Sequence, residues 1–395
     1  MNLPKTNLEY HRPHLAIAYC DALAGRGILN AGSGLFLAAP RRTGKSTFLR
    51  IDLIPEMSHR GWEVIYTDLW SDKSADPAIL IKRAIQDRVA QYDGPLVKAV
   101  KGVKIKHVEV AGVGVDLGRT PGPEPTLSDL LFELAERSKK PVALVVDEAQ
   151  HAMSSKDGEN ALFALKAARD ALNQGTIGRG APGLHLVMTG SNRDRLAQMV
   201  RLRESPFYGA AIQNFPLLDG GYIAFYADWI NAQFAKGKKF SVKALEAVFI
   251  LVDNKPEILS QVVAEVVVGY ADPARLNELV LERAECLREM VWQDFRNVYA
   301  ELTPLQQAIL RVMLLSRPPY EPFSGQAFEA YKQVFGAKPT TSAVQKALYV
   351  LREKSVIWQE ARGAYVLEDP SMEEWGEMFF KERGQGLDAL ICGRQ

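Results

Sequence analysis

Four short apolar runs punctuate the first half of the chain, at Leu35–Ala39, Glu63–Asp68, Val142–Val146 and Leu184–Thr189. Their length, and the polar or turn-forming residues that bound them, predict buried parallel strands. Between them apolar positions recur every three to four residues, which predicts helices over Ser46–Ile54, Ala78–Tyr92, Leu127–Ser138 and Asn160–Leu172. Strands alternating with helices imply an α/β fold, doubly wound about a parallel sheet, with a last strand near Ala211–Leu217.

The rhythm changes in two places. In VKIKHVEVAGVGVDLG, Val103–Gly118, apolar residues fall at period two around Gly112 and Gly114, predicting a β-hairpin insert over about residues 101–119. Its Lys101, Lys104, Lys106 and His107 suit contact with DNA or a neighbouring subunit, or protection of an exposed edge. After Asp219-Gly220-Gly221 the strand signals stop, and residues 220–302 read as helices. Thr303-Pro304 then opens a compact module over 303–395. It has helices at Leu305–Leu315, Gln326–Phe335 and Thr341–Lys354, then two strand-like stretches about Gly363. Helices followed by a β-ribbon describe a winged helix-turn-helix, leaving 1–219 as the α/β domain. In the tail, Trp375, Phe379 and Phe380 are expected to pack on the body.

Composition narrows the class. The 395 residues are 47% hydrophobic and 24% charged, as in soluble globular chains of two or three domains. Lys+Arg number 48 against 47 Asp+Glu, so no global charge draws the chain to nucleic acid or to a membrane. Cys20, Cys286 and Cys392 lack disulfide or zinc-ligand spacing. MNLPKTNLEYHRPH lacks the order of a signal peptide, and no apolar run reaches about 18 residues. The expectation is a cytoplasmic protein with no membrane span.

The candidate chemistry begins at LFLAAPRRTGKSTFLRIDLI, Leu35–Ile54, where a strand passes into a helix. In that context successive backbone N–H groups and a helix N-terminus cradle phosphate. Gly44 permits the tight turn, Lys45 supplies a cation for the β/γ-phosphates, Ser46 offers a hydroxyl to Mg²⁺, and Thr47 begins the helix. The glycine that opens such loops is replaced by Ala39, which is small enough to serve unless φ must be positive. The predicted nucleotide-binding set is Ala39, Pro40, Arg41, Arg42, Thr43, Gly44, Lys45, Ser46 and Thr47.

A second motif, ALVVDEAQH, ends an apolar strand in Asp147-Glu148, at the edge where α/β sheets present ligands. Asp147 is placed to hold Mg²⁺ with Ser46, and Glu148 to orient and polarise a water for in-line attack on a γ-phosphate. The fourth strand runs into TGSNRDR, where Thr189, Ser191 and Asn192 all qualify to contact the γ-phosphate or that water. Asn192 joins Lys45 and Glu148 in the candidate catalytic set.

Together, APRRTGKST, LVVDEAQH, VMTGSN, SPFYG and TTSAVQKALYVLREKSVI…AYVLEDPSMEEW resemble the AAA+ ATPases within the ASCE P-loop NTPases. The branch is the archaeal-type, STAND-like one related to origin-recognition proteins. The resemblance runs from about Leu35 onward. It implies sheet order 5-1-4-3-2, a helical lid over 220–302, a Walker A loop at Ala39–Ser46, Walker B at Asp147 and Glu148, and sensor 1 within Thr189–Asn192. It also implies a trans-acting arginine finger after the sensor strand, reaching the site of a neighbouring subunit, with Arg203 and Arg201 as candidates and Arg193 and Arg195 behind them. Two positions depart from the pattern. The lid stretch Asp253-Asn254-Lys255-Pro256-Glu257 has Glu where a γ-phosphate-sensing Arg is expected, with Lys255 as a substitute, and Ala210 follows Gly209 where relatives carry Arg.

In the C-terminal module the third helix would enter a major groove, presenting Thr340, Thr341, Ser342, Gln345, Lys346 and Arg352, with Arg362 on the wing. Residues 303–362 carry eight Lys/Arg against four Glu, the sign phosphate contact needs. The expected function is therefore an ATPase that binds and hydrolyses Mg-ATP and couples its nucleotide state to self-association or to duplex DNA. The alternative is a low-turnover switch that holds ATP or ADP and uses its winged helix to bind a protein.

Overall fold

The computed structural model describes residues 8–26, 29–92, 125–175, 183–201, 203–234, 239–269 and 273–382. The predicted hairpin insert lies outside the described residues. In chain order the first half comprises α1 (Pro13–Leu23), β1 (Leu35–Ala38), α2 (Lys45–Phe48), α3 (Ile54–His59), β2 (Glu63–Asp68), α4 (Pro77–Val89), α5 (Leu127–Ser138), β3 (Val142–Asp147), α6 (Lys156–Gly175), β4 (Leu184–Gly190), α7 (Arg193–Arg201) and β5 (Ile212–Asn214). The five strands pair in parallel in the order β2-β3-β4-β1-β5, which from the β5 edge is the expected 5-1-4-3-2.

Alternate side chains of each strand feed two cores, as a sheet covered on both faces requires. Phe36, Ala38, Leu144, Val146, Leu186 and Met188 face α4, α5, α6 and α7. Leu35, Leu37, Ala143, Val145 and Val187 face α1 and the helix that follows the Gly44 turn. That helix is α-helical at Lys45–Phe48, π-helical at Leu49–Leu53 and α-helical again at Ile54–His59. The π turn buries both Leu49 and Leu53 while keeping Asp52 inside, where it receives His11 Nδ1 at 2.9 Å and the Arg12 N–H at 3.0 Å. Local chemistry fixes the starts. Thr126 and Asp129 form a capping box for α5, and Asp76 caps α4 just before Pro77.

Beyond β5 the chain is helical: α8 (Gly220–Asn231), α9 (Val242–Leu251), α10 (Pro256–Gly269) and α11 (Leu276–Ala300). These enclose their own core around Tyr226, Phe249, Val262 and Val280. The 25-residue α11, about 37 Å long at 1.5 Å per residue, starts in that core and ends in the next, where Trp292 is buried. The last core gathers α12 (Pro304–Leu314), α13 (Gly325–Phe335), α14 (Thr341–Glu353), the antiparallel pair β6 (Ile357–Ala361) and β7 (Ala364–Leu367), and α15 (Ser371–Glu382). Trp375, Phe379 and Phe380 are buried there, packed on the body as expected. Among the described residues no helix is long and apolar enough to cross a membrane.

The C-terminal module is fastened to α7. Asp194, buried at the start of α7, accepts Arg352 Nε at 3.0 Å and Arg352 Nη2 at 2.9 Å, and the Gln359 N–H at 3.2 Å. Arg193 and Arg201 approach the buried Trp358 ring, at 5.7 and 5.3 Å from its centroid, and Arg201 also donates to the Glu360 carbonyl. Arg352, expected to face a DNA groove, is therefore committed to the protein. A planar fork meeting a carboxylate is the strong form of this contact, and removing one partner strands the other in the interior. Replacing Arg352 by Ala is expected to cost about 3 kcal/mol in chemical denaturation, and Asp194→Asn in the same chain should recover part of that loss.

Candidate functional site

The carboxyl ends of β1, β2 and β3 open into one cavity of about 580 Å³, within the range of about 300–1,000 Å³ usual for small-molecule sites. Pro40 through Thr47 line it, and Ala39 does not. Ala39 is fully buried beneath the sheet edge, its N–H on the Gly190 carbonyl at 3.2 Å. It is not among the residues with positive φ, which explains why alanine can stand where glycine was expected. Arg42 (φ 66) and Gly44 (φ 86) supply the left-handed turns that fold the loop. A methyl at Gly44 would meet nothing closer than Leu218 Cδ1 at 3.8 Å, so glycine is needed for backbone freedom rather than for room. Thr43 Oγ1 donates to the Pro40 carbonyl at 2.8 Å and cross-braces the turn.

Lys45 projects into the head of the cavity and is only 5% exposed. Its Nζ lies 3.0 Å from Glu148 Oε1 and 3.5 Å from Asp147 Oδ1. Asp147, 1% exposed, accepts the Glu148 N–H at 3.0 Å, Tyr66 Oη at 3.3 Å and the Thr189 hydroxyl. Glu148 stands at φ 52, an unusual conformation for a residue with a side chain. Its Oε2 accepts Ser191 Oγ at 2.7 Å, the Ser191 N–H at 3.3 Å and the Gln150 amide. Burial pushes the Glu148 carboxyl up, but the Lys45 charge and the Ser191 and Gln150 hydrogen bonds together outweigh it and hold it down at about 2. It is thus a fully ionised, tightly held carboxylate.

Three of the carboxylates lining the cavity, Asp68, Asp147 and Glu148, come from adjacent strand ends, because the register of β2 on β3 pairs Asp68 with Asp147. Burial, followed by the neighbouring Asp147 and Glu148 charges, raises Asp68 despite a hydrogen bond from the Trp70 N–H. The short apolar run that revealed β2 could have flagged Asp68 at its end, since strand ends of one parallel sheet share an edge. Trp70, Tyr10, Arg12 and Tyr222 also line the cavity, and no motif marked them.

One predicted catalytic residue lies elsewhere. Asn192 turns away: its Oδ1 accepts the Arg195 N–H at 2.8 Å, as a helix cap does, and its Nδ2 donates to Ser355 Oγ at 3.1 Å. Its neighbours Thr189 and Ser191 hold the two acids instead, because side chains alternate at the end of β4. Arg203, the candidate for a finger acting on a neighbouring subunit, is exposed and lies outside this chain's own cavity wall. Lys255, the substitute lid cation, is paired with Asp253 at 3.1 Å and Asp369 at 3.8 Å and does not line the cavity. Glu257 does line it, 3.5 Å from Arg42 Nε.

The donor set fits a magnesium ion. Mg²⁺ is commonly held by one or two protein oxygens plus substrate phosphates, rather than by a cage of protein ligands. Asp147 and Ser46 supply such oxygens on the cavity wall, and among the described residues no trio of His, Cys, Asp or Glu forms a cage.

No family model and no curated protein sequence matches the chain. Solved structures do. The Walker-type ATPase PABY2304 of Pyrococcus abyssi is similar at 21% identity, covering 95% of this chain and 99% of that one with a TM-score of 0.54. The Aeropyrum pernix ORC2 protein in its ADP form is similar at 13% identity over 97% and 96%, with a TM-score of 0.52. The same protein in ADPNP–ADP complexes matches with a TM-score of 0.50. Over nearly its whole length, the chain shares the fold of these two proteins.

Proposed function

We propose that the chain is an ATPase whose site lies between the Gly44 loop and the Asp147-Glu148 strand end. The observation that carries this reading is the meeting of Lys45 with both acids at the head of a cavity walled by the loop. Lys45 and the backbone amides of the loop would hold the β/γ-phosphates. Ser46 and Asp147 would hold Mg²⁺, which when bound neutralises charge between phosphate oxygens. Glu148 would orient the attacking water and accept its proton as the new P–O bond forms and the bond to ADP breaks.

The ion pair gives this arrangement a built-in gate. A carboxylate with a pKa near 2 is a poor base. A triphosphate that draws the Lys45 ammonium away removes the largest attraction holding that value down, so Glu148 gains basicity when substrate is present. Ser191 and Gln150 keep its orientation meanwhile.

Residues 1–219 would form the catalytic domain, 220–302 the lid and 303–395 a winged helix with its tail. Thr341, Ser342, Gln345 and Lys346 on α14 and Arg362 on the β6–β7 turn are exposed, which suits a duplex DNA contact. A second reading, a slow switch whose output is a protein contact, draws support from Lys255, which is tied to Asp253 and Asp369 instead of lining the cavity.

Glu148→Gln is expected to lower kcat at least about 100-fold while leaving ATP affinity within a few-fold, in steady-state hydrolysis and equilibrium binding. Lys45→Ala should weaken ATP binding at least about 10-fold in the same assays. Retained hydrolysis in the first variant argues against the assigned base, and retained affinity in the second removes the site. For the winged helix, Lys346→Ala and Arg362→Ala should each reduce the salt dependence of duplex binding by about one ion. Unchanged salt slopes would favour the protein-contact reading.

A further inference from the structure

The loop carries two consecutive arginines, and the backbone sends them to opposite ends of the cavity. Positive φ at Arg42 sends its side chain to the lid, 3.5 Å from Glu257. Arg41 goes the other way, toward the acids. Its guanidinium lies over the Trp70 ring, 5.1 Å from the centroid, and its Nε donates to Ser191 Oγ at 3.4 Å. Ser191 in turn donates to Glu148. One chain of contacts therefore joins Arg41 to the carboxylate that would face the terminal phosphate.

Other cations near the site have partners of their own, and Lys73, off the cavity wall, places its Nζ 4.0 Å from the same Trp70 centroid. Arg12 lies against the Phe48 and Phe215 rings, and Lys255 is held by Asp253 and Asp369. Arg201 is bound to the C-terminal module. Among the described residues on the cavity wall, Lys45 and Arg41 are the cations at the end where the acids lie.

Resting on the ATPase reading above, we propose that Arg41 is an arginine finger supplied in cis. It swings from Ser191 to the terminal phosphate and stabilises the charge that gathers there as the bond to ADP breaks. Trp70 is its positioning residue. A cation stacked on an aromatic face keeps its charge while giving up little hydration, and so moves to an anion at low cost. The finger resides in the same loop as Lys45, so the site needs no arginine from a neighbouring subunit, and the absence of the lid and post-Gly209 arginines is offset within the chain.

The test combines hydrolysis, binding and mixing on the full chain. Arg41→Ala should lower kcat at least about 100-fold, with Arg41→Lys intermediate because a point charge lacks the planar fork. Affinity for ADP should stay within twofold of the parent, showing an intact fold, while affinity for ADP–aluminium fluoride falls at least tenfold. Adding Lys45→Ala chains, which carry Arg41 but cannot cleave ATP, should not restore hydrolysis to Arg41→Ala chains. Restoration by mixing would mean that the arginine acts in trans, and unchanged ADP–aluminium fluoride affinity would mean that it does not touch the transferring group. Either result overturns the proposal while leaving the ATPase reading intact. A parent chain that binds ADP–aluminium fluoride without turning over ATP still decides the point through the affinities, and one that binds no nucleotide overturns both.

Discussion

An ammonium 3.0 Å from a carboxylate, contributed by residues 103 apart in sequence, ties the cavity end of this fold together. Lys45 starts the helix after β1 and Glu148 follows β3, and β4 lies between those strands in the sheet. Every other feature of the site serves that meeting. The apolar strands hold the two ends at fixed depth, the turns at Arg42 and Gly44 aim Lys45 inward, and Ser191 and Gln150 fix the carboxylate that receives it. Two nearly buried charges are tolerable because each is paired.

The end of β4 connects this centre to the rest of the molecule. Ser191 touches Glu148, Asn192 touches Ser355, the Arg193 N–H donates to Glu368 at 3.1 Å, and Asp194 grips Arg352. Four consecutive residues thus reach from the acid to the C-terminal module. Burial, set against the Arg193 N–H and charge, raises the Glu368 carboxyl to about 7. A shift of Ser191 that accompanies phosphate binding would be felt at that contact without any longer relay.

Much of the α/β half was legible because parallel strands buried on both faces leave uninterrupted apolar runs, as in VALVV and LFLAA. Helices with caps were legible too, and Leu127–Ser138 begins and ends where its pattern says it should. The helix Pro13–Leu23 escaped notice. Its buried Ala16, Tyr19, Cys20 and Leu23 follow the helical period, but its outer positions are also largely apolar, and no capping side chain announces it. The π turn at Leu49–Leu53 has no sequence signature at all. Among the site residues, the motifs located the loop and the acids, since covalent neighbours carry those roles. The choice among Thr189, Ser191 and Asn192 depended on where the strand ends and the next helix is capped, which side-chain type alone does not reveal. Asp68, Trp70 and Arg352 owe their positions to contacts made across the fold.

The central claim is that a nucleoside triphosphate takes Lys45 from Glu148. A crystal structure with magnesium and a non-hydrolysable ATP analogue tests it most directly. Lys45 Nζ should sit on phosphate oxygens, with Glu148 still held by Ser191 and facing the terminal phosphate. A nucleotide bound elsewhere, or bound in the cavity with the Lys45–Glu148 contact unbroken, would contradict the account.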